Sequence, residues 1–329
     1  MEPARGVGLP AHVRAARRVL RAPAVLRPGP PGRLRQVATP AGPPAAPGDL
    51  RVLSWNVRAA IGPGEPFPPA WWRHVRADRL AAIAGFIRDL APDVVTLQEV
   101  SILSVDGVVT DQPAEIARLT GLSVRYGAVH AYPLIEPESG RTIGAAMWGN
   151  AILTPAPLRD AFVRGLPRAG DEDVIEPFGA DHRAAGVRYA DADPGHREPR
   201  CVIGGVAGDP PVRLATTHLT YIGREQRAGQ ASAARAFADV EPDAAAPFIL
   251  TGDFNAPIDD PELERARDGL VDAFTAVGIP PGDDRRRSCG PLAIDHVLVR
   301  GLEVRACRIA TEAGELSDHW PVVVDLAPA

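Results

Sequence analysis

Residues 247–255 read PFILTGDFN, an apolar run that stops abruptly at glycine and polar residues. The run 247–251 combines aromatic and β-branched side chains, which favour a β-strand. Asp253 follows Gly252 directly, and Asn255 comes two residues after Asp253. A strand that ends in this way places a carboxylate and an amide at the rim of a sheet, where loops leave room for a ligand.

The same pattern recurs along the chain, because most predicted strands finish on or beside a polar residue. The predicted strands cover residues 51–56, 93–98, 145–153, 212–218, 247–251, 293–299, 304–310 and 321–326. The other polar residues at these positions are Asn56, Gln98, Glu99, His218, Asp295, Asp318 and His319. One acid at a strand end is usually a solvated turn residue, but six such positions in one chain predict a shared site.

Helical patterns alternate with these strands and indicate an α/β protein. Apolar residues at helical spacing predict a helix through Leu80, Ile83, Ile87 and Leu90, before Pro92. A short helix is predicted over residues 113–119, and an alanine-rich helix over residues 224–240.

The predicted site lacks cysteine and is rich in carboxylate and amide oxygens. Those are the ligands preferred by hard cations such as Mg²⁺ or Mn²⁺, whereas zinc sites favour cysteine and histidine. The pattern therefore predicts a site for a hard divalent cation.

Seven short motifs, in this order, resemble those of the endonuclease/exonuclease/phosphatase superfamily, whose fold is deoxyribonuclease I-like. They are SWN (54–56), PDVVTLQE (92–99), GNAIL (149–153), THL (217–219), GDFN (252–255), IDHVL (294–298) and SDH (317–319). The resemblance implies a four-layer α/β/β/α sandwich, in which two mixed β-sheets pack face to face with helices outside.

The resemblance also implies roles for individual residues. Asn56, Glu99 and Asp318 correspond to metal-site residues, with Glu99 as the main carboxylate ligand. Asp253 and Asn255 correspond to the pair that orients the attacking water and holds a phosphate oxygen. His319 corresponds to the active-site histidine, Asp295 to its carboxylate partner, and His218 to a second histidine at the phosphate or the leaving group. Either Asp253 or His319 could be the general base.

These roles imply a hydrolase that uses Mg²⁺ or Mn²⁺ to cleave a phosphodiester, with DNA and RNA as candidate substrates. The alternative enzyme is a phosphatase or phosphodiesterase acting on inositol phosphates or phospholipid head groups. A catalytically inactive binding protein of the same fold is a further alternative, but it would be expected to lack at least one of the site residues. Nothing in the sequence predicts a protein partner.

The first 48 residues differ from the rest in composition and are predicted to be a disordered tail, so that the domain comprises residues 49–329. Ten of the 35 prolines lie in residues 1–48, among alanine, glycine and arginine. Such a segment has too little apolar surface to offset the entropy lost on ordering. Arg17 and Arg18 resemble a twin-arginine export signal, but Arg21 and Arg27 interrupt the apolar run that such a signal requires.

Composition limits the remaining possibilities. The chain of 329 residues is 45% apolar, which allows a large core. It contains no uncharged apolar run of the roughly 18 residues needed for a transmembrane helix. Three widely spaced cysteines predict neither disulfides nor a zinc site and favour a cytoplasmic location. Residues 1–50 carry eight Arg against two acids (+6), whereas the remainder carries 28 Arg against 39 acids (−11), which disfavours tight nucleic-acid binding through bulk charge.

A few other segments have two interpretations each. Residues 155–200 are predicted to be mostly loop, with a hairpin near residues 160–165, and they contain His182 and His196 as possible substrate contacts. Arg227 and Gln230, three residues apart on a predicted helix, could brace the site or lie exposed. The run Arg285–Arg287 is typical of a solvated loop but could guide a phosphate.

Overall fold

The computed structural model describes residues 49–64, 70–167, 200–239 and 246–329. Within these ranges the strands are β1 (Leu50–Asn56), β2 (Val94–Val105), β3 (Val108–Asp111), β4 (Ser123–Ile135), β5 (Thr142–Thr154), β6 (Arg159–Gly165), β7 (Cys201–Ala207), β8 (Val212–His218), β9 (Phe248–Asp253), β10 (Val271–Asp272), β11 (Asp295–Arg300), β12 (Leu302–Ile309) and β13 (Val322–Pro328). The α-helices are α1 (Ala77–Leu90), α2 (Gln112–Thr120), α3 (Arg224–Arg235) and α4 (Ala273–Ala276). The predicted tail, residues 1–48, lies outside the described residues, as do His182 and His196.

The strands form two mixed sheets with closely similar arrangements. The first has the order β12-β13-β1-β2-β5-β4, with β3 paired to β2, and the second has the order β10-β11-β9-β8-β7-β6. Each sheet contains one parallel pair near its centre, β1 with β2 and β8 with β9, and its other pairs are antiparallel. In the second sheet His218 lies opposite Asp253, and in the first Asn56 lies opposite Gln98.

The two sheets pack face to face over a mainly aliphatic layer. Val52, Val94, Leu214, Ile249 and Val324 are at most 1% exposed and belong to this layer. Transfer of such side chains from water supplies roughly 1.5–3 kcal/mol each, so this layer stabilises the sandwich substantially.

Toward one end of the sandwich, hydrogen bonds replace aliphatic contacts between the sheets. The Thr251 hydroxyl donates to the Thr96 hydroxyl across 2.8 Å, and the Gln98 amide donates to the Thr216 hydroxyl across 2.9 Å. These hydrogen bonds join the two sheets and satisfy the hydroxyl and amide donors of Thr251 and Gln98, as burial requires.

The helices cover the outer faces, which confirms the four-layer α/β/β/α sandwich. The apolar face of α1, which includes Ile83 and Ile87, packs with Leu53 and Leu97 of the first sheet. Helix α1 ends at Ala91 in the left-handed conformation, one residue before Pro92. Ala231 of α3 packs on the second sheet, so each sheet is covered on the side away from its partner.

The sequence-based prediction missed some strands and misplaced one pairing. Strands β3, β4, β7 and β10 were not predicted, and β2 continues to Val105 instead of ending at residue 98. The hairpin expected near residues 160–165 is wrong: Arg159–Gly165 is a single edge strand that pairs with Cys201–Ala207. Its partner lies more than thirty residues along the chain, so no local turn signal reports the pairing.

Candidate active site

The polar strand ends converge at the rim of the sandwich because of the two parallel pairs. The residues of a parallel pair keep their register along both strands, so Asn56 lies beside Gln98, and His218 lies beside Asp253. Asp295 begins β11 directly opposite Asp253, because these two strands are antiparallel. Sequence positions as distant as 56 and 295 are thereby brought to one place.

A β-bulge carries Glu99 to this rim. The pairing of β2 with β5 shifts register between Leu97 and Val100, and Glu99 adopts a positive φ of 55°. A bulge bends the strand and redirects one side chain out of the regular alternation. Left-handed backbone at a non-glycine residue costs about 1–3 kcal/mol, which the surrounding sheet must offset.

The GDFN motif is shaped by a glycine and a side-chain turn. Gly252 has φ 144°, and a Cβ at this residue would lie 1.9 Å from the carbonyl oxygen of Thr217, so only glycine fits. The Asp253 carboxylate accepts the Asn255 backbone N–H across 2.9 Å, and Asn255 adopts φ 52°. The Asn255 amide donates to the carbonyl of Leu219 across 2.9 Å, which joins this turn to the loop after His218.

His319 and Asp295 form a buried pair. The imidazole Nδ1 lies 2.8 Å from the Asp295 carboxylate, and the two side chains are 9% and 1% exposed. Burial by itself would lower the pKa of His319, but the charge and hydrogen bond of Asp295 outweigh it and raise that pKa well above its usual value. The imidazole is therefore cationic at neutral pH. The backbone carbonyl of His319 accepts a hydrogen bond from the Trp55 indole at 2.8 Å, which fixes the position of this residue.

The Asp253 carboxylate lies at the centre of the cluster. One of its oxygens lies 3.1 Å from the Asn56 amide nitrogen, 3.4 Å from His218 Nε2 and 3.8 Å from His319 Nε2. Burial, together with the charge of Asp295, raises the pKa of Asp253 to about 6. Asp253 is thus mostly ionised at neutral pH and still basic enough to accept a proton.

His218 has the opposite protonation state to His319. Burial lowers its pKa well below the usual value, and the positive charges of Arg200 and His319 lower it further. Its Nδ1 lies 3.8 Å from the Glu99 carboxylate. The site therefore holds one neutral and one cationic imidazole, both close to Asp253.

Glu99 and Asp318 lie on the adjoining side of the site. Asn56 donates to Glu99 across 3.0 Å, and burial together with the charge of Asp318 raises the pKa of Glu99 to about 7. The Asp318 carboxylate lies 3.2 Å from the Arg58 guanidinium. Asn56 accepts the Arg58 backbone N–H on its side-chain oxygen, so both ends of this amide are engaged.

The residue types present fit a hard divalent cation. Among the residues that the structure describes, one group of three has ligand atoms within 4.8 Å of one another, namely Asp253, Asp295 and His319. Sequence reasoning assigned these three to catalysis and placed the metal with Asn56, Glu99 and Asp318, which lie beside them. The partly buried Glu99 and the buried Asp253 both have raised pKa values, and an added cation would stabilise their charged forms.

Other candidate residues separate into those at the site and those elsewhere. Arg227 is buried and donates to the backbone carbonyl of Asn255 at 2.8 Å, so it braces the site. Gln230 is also buried and accepts the Thr220 backbone N–H. Arg286, from the basic run, is 1% exposed and paired with Asp272, so it cannot guide a phosphate.

Arg58 was missed by sequence reasoning. The signal was present, since a charged residue stands two positions after the last residue of an apolar strand. Its partner Asp318 lies 260 residues along the chain, and only the fold brings the two together.

Comparison with solved structures shows the same fold in several proteins. An endonuclease/exonuclease/phosphatase from Beutenbergia cavernae is 23% identical, with a TM-score of 0.58 over 85% of this chain and 72% of that chain. The catalytic domain of human nocturnin, solved with a bound sulfate anion, is 18% identical, with a TM-score of 0.59 over 86% of this chain and 94% of that one. A mannosyl-6-phosphatase from Bacteroides thetaiotaomicron is 17% identical, with a TM-score of 0.54 over 84% of this chain and 99% of that one.

At these identities the similarity establishes the fold alone. Comparison with curated protein sequences gave no match. The family model described as the endonuclease/exonuclease/phosphatase family matches residues 53–319, which span all seven motifs and every residue of the site. The chain therefore belongs to the endonuclease/exonuclease/phosphatase family.

Proposed function

We propose that the protein is a divalent-metal-dependent phosphoesterase that hydrolyses a phosphodiester by attack of water. The observation that carries this proposal is the buried Asp295–His319 pair, whose cationic imidazole lies 3.8 Å from the basic carboxylate of Asp253. A group that receives a proton and a group that stabilises an anion thus lie side by side. Hydrolysis of a phosphate ester needs both.

Asp253 is the residue that we assign to proton removal from the attacking water. His319 is cationic in the resting site, so it cannot accept that proton, whereas Asp253 is ionised. His319 instead offers its Nε2 proton to a phosphate oxygen. Asp295 keeps the imidazole charged and oriented throughout, as a carboxylate partner does in other catalytic sites.

His218 and Asn255 complete the contacts to the phosphate. His218 is neutral and can donate one hydrogen bond without adding charge, which suits a position at the leaving group. Asn255 is held in its left-handed turn by Asp253 and by the bond from its amide to Leu219, so its position is set before substrate arrives. Such preorganisation lowers the cost of reaching the transition state.

The residues that would hold the cation are Glu99, Asp318 and Asn56. When bound, a divalent cation supplies positive charge that stabilises the negative charge accumulating on the phosphate oxygens. Asn56 links Glu99 and Asp253 through its amide nitrogen, so it sets the spacing between the cation side and the proton-transfer side of the site.

The substrate class follows from charge as well as from the site. The body of the chain carries a net charge of −11, which disfavours long duplex DNA. We therefore expect modest affinity and little sequence dependence on nucleic acids. The alternative is a phosphatase or phosphodiesterase acting on inositol phosphates or phospholipid head groups. Because the chain is structurally similar to a mannosyl-6-phosphatase, phosphomonoesters also belong among the substrates to be tested.

The test is a substrate panel with purified protein and Mg²⁺ or Mn²⁺. DNA, RNA, bis-p-nitrophenyl phosphate and inositol phosphates are compared with and without EDTA. We expect cleavage of the diester, abolished by EDTA and restored by excess Mn²⁺. Turnover that persists in excess EDTA would refute the metal dependence. If the protein releases phosphate from an inositol phosphate and leaves every nucleic acid intact, the alternative substrate class is correct and the phosphodiester proposal is wrong.

A cytoplasmic location is also part of the proposal. Among the described ranges, no helix combines the length and apolar character needed to traverse a lipid bilayer. The three cysteines are free, which agrees with the cytoplasmic location expected from their spacing.

A further inference from the structure

Arg58 is held at the site by a turn with an unusual backbone. Arg58, Ala59 and Ala60 have φ values of 45°, 50° and 58°, so three consecutive non-glycine residues adopt the left-handed conformation. Each such residue costs about 1–3 kcal/mol and persists only where its surroundings impose it. The chain therefore maintains a strained turn immediately after Asn56.

The contacts that impose this turn come from three sides. The Asn56 side-chain oxygen accepts the Arg58 backbone N–H at 3.0 Å, and the Gln112 amide donates to the Ala59 carbonyl at 2.5 Å. The Arg58 guanidinium itself donates to the Gly62 carbonyl at 2.6 Å. The guanidinium is thus positioned both by its own turn and by helix α2.

This turn places a fixed positive charge among the carboxylates of the proposed cation site. The Arg58 Nε lies 3.2 Å from Asp318, and the two side chains are 16% and 37% exposed. Glu99 lies close enough to Asp318 for the two charges to interact. When both carboxylates are ionised, as they would be with a cation bound, two carboxylates against one guanidinium give these three side chains a single net negative charge.

We propose that Arg58 is a built-in counter-ion of the cation site, which weakens divalent-cation binding and leaves the loaded site with a positive charge for the substrate phosphate. The inference rests on the proposed function. With Arg58 present, a bound dication brings this part of the site to a net positive charge. Without Arg58, the same dication only neutralises Glu99 and Asp318, so this part of the site no longer adds to the attraction for an anion.

The expected size follows from Coulomb interaction. A unit positive charge within several ångströms of a dication, partly exposed to water, changes binding by about tenfold or more. Removal of the Arg58 charge should therefore tighten Mn²⁺ binding about tenfold and weaken phosphate binding to the Mn²⁺-loaded protein by a similar factor. A residue with a purely structural role would weaken both.

The experiment measures Mn²⁺ binding by calorimetry and by electron paramagnetic resonance, and then inorganic phosphate binding to the Mn²⁺-loaded protein. Parent, Arg58→Gln, Arg58→Lys and Arg305→Gln are compared on the full chain. Arg58→Lys keeps the charge and should bind Mn²⁺ as the parent does. Arg305→Gln removes an exposed arginine of an edge strand, paired with Glu303, and should change neither affinity.

The counter-ion role would be established if Arg58→Gln binds Mn²⁺ more tightly and phosphate more weakly than the parent. Arg58→Lys would in that case bind Mn²⁺ as the parent does. Unchanged or weaker Mn²⁺ binding by Arg58→Gln would overturn it and leave the proposed function standing. If Arg58→Gln melts far below the parent, tighter Mn²⁺ binding by Arg58→Lys would overturn it instead. A parent protein that binds no Mn²⁺ would refute both the counter-ion and the metal-dependent function.

Discussion

At the residue scale, Glu99 carries an electrostatic cost that a cation would relieve. Its pKa is raised from 4.5 to about 7, chiefly by burial and then by the charge of Asp318. Between these two values the folded protein binds more protons than the unfolded chain, so the cation-free protein loses stability as pH rises from 4.5 to 7. Above pH 7 the loss is complete.

Glu99→Gln removes this cost, so in EDTA at pH 8 the variant should be more stable than the parent by on the order of 2–3 kcal/mol. Near pH 4.5 the two proteins should unfold at similar denaturant concentrations. The measurement is the free energy of unfolding in urea at several pH values, and turnover with Mn²⁺ should be lost at all of them.

A matched control for Glu99→Gln is Glu138→Gln. Glu138 is exposed, and its hydrogen bonds to Arg73 lower its pKa to about 2. Its replacement therefore should not stabilise the protein at pH 8. If Glu99→Gln also fails to stabilise the protein, the charge of the partly buried Glu99 is not costly, and the argument for a cation there loses its electrostatic basis.

The Asp295–His319 pair should behave as a single catalytic unit. Asp295→Ala and His319→Ala each remove the cationic imidazole from its working position, so each should reduce kcat by several orders of magnitude. Because residues that act as a unit are strongly non-additive, the double variant should be little worse than either single variant. Steady-state kinetics on bis-p-nitrophenyl phosphate provide the comparison. Losses that multiply in the double variant would show that the two residues act independently.

At the scale of elements, the termini of strands could be predicted because their chemistry is local. Residues such as Asp253 and His218 follow apolar runs, and the sequence alone identifies both the runs and their ends. The bulge at Glu99 could not be predicted in this way, since it depends on how β2 pairs with β5. Nor does a sequence pattern report that His319 is cationic and His218 neutral, because those states arise from burial and from neighbours on other strands.

Helix α3 acts as a brace for two catalytic loops. Arg227 donates to the carbonyls of Thr220 and Tyr221 after His218 and to the carbonyl of Asn255, and it forms a 2.7 Å ion pair with Glu262. Both members of that pair are under 10% exposed. One guanidinium therefore ties the loop after β8 to the turn after β9.

Arg227→Met should lower kcat by about ten- to a hundredfold with a smaller effect on KM, because small displacements of positioned groups are costly to catalysis. It should also destabilise the protein, since the buried Glu262 would keep only the exposed Arg224, 3.7 Å away, as a counter-charge. Adding Glu262→Gln should recover much of the melting temperature but not kcat. Recovery of both would show that Arg227 acts through stability alone and does not position the loops.

At the scale of the whole molecule, both sheets contribute residues to the site. The first sheet supplies Asn56 and Glu99, and the second supplies His218, Asp253 and Asp295. The site is therefore complete only when the sheets are packed together. Its integrity depends on the aliphatic layer between them as well as on the loops that carry Asn255 and His319.

This architecture predicts that the domain of residues 49–329 is self-sufficient. β1 begins at Leu50 and pairs on both sides with β2 and β13, so the first sheet is complete from its first strand onward. The composition of residues 1–48 offers little apolar surface for burial against it. Deletion of residues 1–48 should leave the melting temperature and the turnover of a small phosphodiester nearly unchanged. Thermal melting and steady-state kinetics of the truncated protein check this, and a fall in melting temperature of more than a few degrees would show that the first 48 residues pack on the domain.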